Sequence, residues 1–92
     1  MPRVFKLGPY LVYFWSDECQ PLEPVHVHIS EGVPEREATK VWLTENGGAV
    51  VCHNQSSIPE HTLRNIIDAI EARHEDIVAR WKKHFGEASF YL

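Results

Sequence analysis

Hydrophobic and polar positions alternate strictly in one stretch of the first half of the chain. "VHVHIS", residues 25–30, sends Val25, Val27 and Ile29 one way and His26, His28 and Ser30 the other. That period of two belongs to a strand with two unlike faces. Upstream, "RVFKLG" and "YLVYFWS" are β-favouring runs parted by Gly8-Pro9, a turn signal, and they predict a hairpin. The second run is apolar on both sides, with Tyr10, Val12 and Phe14 opposite Leu11, Tyr13 and Trp15. Such a strand is central or covered twice. Downstream, "ATKVWLT" and "GAVVCH" predict two more strands joined through "ENGG", where Asn46-Gly47 tolerates positive φ. "DECQPLEP" and "EGVPERE" are loops. The strands fall at about 3–7, 10–16, 25–30, 38–44 and 48–53.

After Ser57 the period changes. Leu63, Ile66, Ile67, Ile70, His74, Ile77, Val78, Trp81 and Phe85 recur at steps of three and four, which predicts an amphipathic helix over about 58–85. Ser57 with Glu60 forms a capping-box pattern, Pro59 suits the first turn, and Gly86 is the natural stop. "EASFYL" either adds an edge strand or packs loosely. The expected fold class is α+β: an antiparallel four- to five-stranded β-meander packed on one long C-terminal α-helix, residues 1–92 forming a single domain. One helix covers one sheet face. If the valines face it, His26 and His28 lie on the open face beside Tyr13 and Trp15, a surface suited to a partner or a homodimer.

Composition adjusts this picture. Three Trp, three Tyr and four Phe supply large buriable surfaces, so disorder is not expected. The formal charge of −4 disfavours non-specific grip on nucleic acid, and the short basic cluster "ARWKKH" reads as a solvated helix end whose cations complement the helix dipole. Protonating all six histidines would carry the charge to +2. No signal peptide and no apolar run of ~20 residues is visible, so the expectation is a cytoplasmic chain, away from the membrane, with Cys19 and Cys52 as free thiols.

Two chemistries deserve weighing at "HVH". Histidines two apart on a strand reach toward one point, but zinc needs a third protein ligand, and Glu23, Cys19, His53 or an acid of "EGVPERE" stand at no specific spacing. A polar strand face is the simpler reading, and no metal or cofactor is expected. Alternatively His26 and His28 serve as base and acid in RNA cleavage, with Lys40 or Arg36 facing the developing phosphorane charge. Elsewhere the bland readings are preferred. His74 is a core-edge histidine bonded to a backbone group, and His53, His61 and His84 are surface or cap residues. Cys52 is a small buried apolar side chain, Cys19 the more exposed thiol, and Trp81 a core residue.

The order of these motifs resembles a known family. A hairpin ending "YFWSDE" precedes "PVHVHI", "ATKVWL" and a helix ending "RWKKHFG". The chain is similar to the small bacterial and phage proteins grouped as domain of unknown function 4160, over roughly residues 1–86. Members usually carry two prolines before the first histidine, whereas here Val25 follows Pro24. The resemblance implies a gene often placed beside another small protein, as in toxin–antitoxin pairs, and implies His26 and His28 as the functional part of the motif. It supplies no catalytic mechanism. The leading expectation is therefore a protein-interaction module of a toxin–antitoxin-like or mobile-element system. It would bind the adjacent gene product through Tyr13, Trp15, His26, His28, Lys40 and Trp42. The alternatives are a metal-independent ribonuclease-type toxin using His26, His28 and Lys40, or a phage-encoded inhibitor of a host defence complex.

Overall fold

A computed structural model describes residues 3–16 and 22–92. The predicted loop residues 17–21, and Cys19 with them, lie outside the described residues. Five strands follow one another: β1 (Arg3–Leu7), β2 (Tyr10–Tyr13), β3 (His26–Glu31), β4 (Thr39–Leu43) and β5 (Ala49–His53). They form one antiparallel sheet in the order β1-β2-β3-β4-β5, so sequence neighbours are spatial neighbours throughout. The turns are those the sequence asks for. Gly8 at φ 58 closes the first hairpin, and Gly47 at φ 97 closes the last, where Thr44 Oγ1 accepts from the Gly48 N–H. Both outer strands carry one extra residue against their neighbour, Val4 on β1 and Cys52 on β5. The edge of β5 is further modified at Ala49, whose N–H donates to the Glu71 carboxylate at 3.1 Å.

The single long helix is replaced by two. α1 (Glu60–Ala72) and α2 (His74–Phe85) meet at Arg73, whose φ of −111° and ψ of 15° lie outside the helical region. The Arg73 N–H turns back to Ile70 in a tighter bond, and its guanidinium rests 4.5 Å from the Phe5 ring centre. The hydrophobic period runs unbroken across this joint, so periodicity alone reports one helix. Ile66, Ile70, Ile77 and Trp81 still face the same core. No helix among the described residues is long and apolar enough to cross a membrane.

The start of α1 also departs from the expected capping box. The cap position falls on Pro59, with no side-chain cap bond, and Ser57 takes a left-handed φ of 55°. The incoming segment is held differently. Asn54 bonds both the N–H and the carbonyl of Ile58, while Ser56 and Asn54 engage Thr39 at the start of β4. α2 ends as expected, with Gly86 at φ 84 and its N–H on the Lys82 carbonyl.

The main core lies between the helices and one sheet face: Val12 and Phe14, Val25, Val27 and Ile29, Val41 and Leu43, against Ile66, Ile70, Ile77 and Trp81. The doubly apolar second run divides as its alternation demands, because Leu11, Tyr13 and Trp15 form a second cluster with Ala38 on the other face. His74 is buried and its Nε2–H donates to the Thr44 carbonyl at 2.6 Å, tying the start of α2 to the β4–β5 turn. Cys52 is exposed rather than buried, because the bulge turns it outward from an edge strand.

Candidate functional site

The register across the three central strands assembles the face opposite the helices. Tyr13 pairs with His28 and His28 with Lys40, making one row, while His26 stands opposite Trp42 in the next. All six sequence-selected residues belong to this face, with Trp15 just beyond β2. The alternation of "HVHIS" is what aims both imidazoles here.

The face is not open at its centre. His26 is 0% and His28 5% exposed, and Tyr13 is fully buried. Side chains and loops close over them in layers. The Tyr13 hydroxyl donates to the Glu35 carbonyl at 2.8 Å and accepts from the Glu35 N–H at 2.9 Å, which clasps the β3–β4 loop to the sheet. Its ring stacks on His28, at 5.8 Å between centres and 26° between planes. His26 meets His28 edge to face at 5.2 Å, Trp42 at 5.6 Å and Trp81 of α2 at 5.2 Å. Each imidazole directs Nδ1 at a backbone carbonyl, His26 at Pro24 (2.9 Å) and His28 at Ala38 (3.3 Å). A carbonyl only accepts, so Nδ1 of each ring carries the hydrogen. The pair is thereby fixed in orientation within an aromatic layer, a packing role as much as a chemical one.

Above that layer lies the part in contact with solvent. Arg36 places its guanidinium 4.1 Å from the Trp15 ring centre, and Lys40 places its ammonium 4.3 Å from that of Trp42. Lys40 also pairs with Glu23 at 2.6 Å, which fixes its head between a carboxylate and a ring. Trp42 is also stacked with Tyr91, at 4.9 Å between centres and 15° between planes. Of the two outcomes expected for "EASFYL", an edge strand or loose packing, the C-terminal segment carrying Tyr91 does not form the strand. It is pinned by two backbone bonds, from the Val25 N–H to Ser89 and from the Glu45 N–H to Leu92.

Sequence reasoning missed Tyr91 as a member of this surface, and weighed Glu23 only as a third metal ligand, not as the partner of Lys40. Tyr91 lies in a segment with no period, and the nearness of Glu23 to the histidines in sequence says nothing of its pairing with Lys40 across the sheet. Among the described residues no group of three His, Cys, Asp or Glu stands where a metal ion could be held.

The sequence model of the family described as domain of unknown function (DUF4160) matches residues 10–82. The matched stretch runs from the start of β2 into the last turn of α2, so it takes in both histidines, Lys40, Trp42 and Trp81. No curated protein matches the chain, and no solved structure does. With four of the five strands and nearly all of both helices inside the match, the chain belongs to the DUF4160 family.

Proposed function

We propose that the chain is a protein-interaction module of a bacterial toxin–antitoxin-like or mobile-element system, and that it receives the product of an adjacent gene on the sheet face opposite its helices. The observation that carries this reading is the stripe of Trp15, Arg36, Lys40, Trp42 and Tyr91, with a cation held over two of its rings. Trp, Tyr and Arg are the side chains enriched at interface hot spots, because they bring large contact area and directed hydrogen bonds at low cost in rotamer freedom. The buried Tyr13–His28–His26 layer beneath serves as a stiff support, which lowers the entropy lost on association. His26 and His28 thus act through the residues they hold in place.

Catalysis by the histidine pair is the weaker reading. A general acid or base must reach the proton it moves, within hydrogen-bond distance of substrate. His26 has no surface to offer, and the Lys40 charge is engaged by Glu23. The test mixes the chain with the adjacent gene product and follows size-exclusion elution. A stable complex, weakened by Trp42→Ala and Trp15→Ala, supports the proposal. Two components that elute separately at micromolar concentration refute it.

A further inference from the structure

A second feature lies where β1 meets α2. Four basic side chains line one cavity of about 480 Å³: Arg3 from β1, and Arg80, Lys83 and His84 from α2, above a floor of Val4 and Phe14. Arg80, Lys83 and His84 are spaced to share one helix face, and the sheet delivers Arg3 to the same place. His84 is held there by its Nε2–H, which donates to the Ser16 carbonyl at 3.1 Å, and by the edge of the Phe14 ring.

The bland account is that cations gather at a helix C-terminus to complement its dipole. It covers Lys83 and His84 in the last turn. It does not cover Arg80, one turn earlier, and it cannot cover Arg3, which comes from another element. Three permanent cations around one cavity repel each other, in a chain whose overall formal charge is −4. Among the described residues the one anion paired with any of them is Asp76, 3.1 Å from Arg80, and both partners of that pair are about half exposed. Solvent screens such a pair strongly.

We propose that this cavity is a binding site for a small, multiply charged phosphate ligand. Two guanidinium forks suit the bidentate geometry of phosphate oxygens, and Lys83 adds a mobile point charge. A phosphate monoester or a diphosphate matches three permanent positive charges better than a single carboxylate does. The volume falls in the range of small-molecule sites, about 300–1,000 Å³.

The experiment is an NMR titration of the whole ¹⁵N-labelled chain with inorganic pyrophosphate, at ionic strength held constant with sodium chloride. Saturable shifts confined to Arg3, Phe14 and the last two turns of α2 support the site. Arg3→Gln with Lys83→Gln should weaken binding at least about tenfold. Both positions are exposed, so the fold is not at stake. Arg64→Gln, on the exposed side of α1, should leave the affinity unchanged. Shifts that grow linearly and equal those from chloride overturn the proposal, as does an unchanged affinity in the double variant. An oligoglutamate peptide that binds the same residues more tightly than pyrophosphate also overturns it, because the site would then be one for acidic protein segments.

Discussion

Trp81 offers a sharp test of how the core is balanced. Its indole is fully buried, with ring centres of Phe85, Phe14 and His26 at 4.6, 5.1 and 5.2 Å, yet its Nε1–H finds no acceptor among the described residues. Replacing it by phenylalanine puts a six-membered ring where the five-membered ring sits and removes the outer part of the indole together with its N–H. The lost transfer energy of two or three ring atoms is roughly 1 kcal/mol. A residual void of about 40 Å³, at about 24 cal/mol per Å³, adds about 1 kcal/mol more. Against this, deleting a buried N–H that lacks a partner returns about 1–3 kcal/mol. Trp81→Phe should therefore lie within about 1 kcal/mol of the parent protein, whereas Trp81→Ala should cost about 3–5 kcal/mol. On a domain whose whole stability is about 5–15 kcal/mol, the second loss is severe. Urea unfolding followed by far-ultraviolet circular dichroism reads both, and an unchanged slope confirms that the same surface is exposed. If phenylalanine costs as much as alanine, the indole N–H is satisfied in solution and the reasoning fails.

Three further outcomes follow from particular contacts. Ser57→Gly should raise stability by about 0.5–1 kcal/mol, because an exposed left-handed position favours glycine; a lower urea midpoint would contradict this. His74→Phe should cost about 1 kcal/mol by removing the shorter of two bonds to the Thr44 carbonyl, the Gly47 N–H at 3.3 Å remaining, and the Gly48 amide should exchange faster with solvent. Arg36→Ala should weaken the complex with the adjacent gene product about tenfold or more, while shifting stability by under about 0.5 kcal/mol; equal losses in both would make it a folding residue.

The sheet was legible because each strand carries its own period. Val25, Val27 and Ile29 are buried against the helices and the histidines take the other face, as alternation requires. What period two cannot report is what covers a face. The closing layer comes from the Glu35 backbone, from Trp15 just past the end of β2, from Trp81 of α2 against His26, and from the tail residue Tyr91, and the period of β3 reports none of them. Hence histidines expected at the surface turned out to be beneath it. The break at Arg73 was invisible for a related reason. Both half-helices present apolar residues in one continuous register, and the departure occurs in backbone angles that no side-chain pattern encodes. At Ser57 one local signal lost to another: Asn54 bonds both the N–H and the carbonyl of Ile58, four residues on, and leaves the serine to make the turn.

The two borders of the sheet carry a consequence for recognition. Val4 interrupts the outer run of β1, Cys52 that of β5, and Glu71 occupies the Ala49 amide. A visiting strand needs an uninterrupted rail of main-chain donors and acceptors, and neither border provides one. Ribbon growth between copies is discouraged even though Val50 and Val51 are exposed on the β5 border. A ligand protein must instead be read through side chains on the broad face. Its amino-acid identities then matter more than its capacity to extend, and a scrambled peptide of equal strand-forming tendency should go unrecognised.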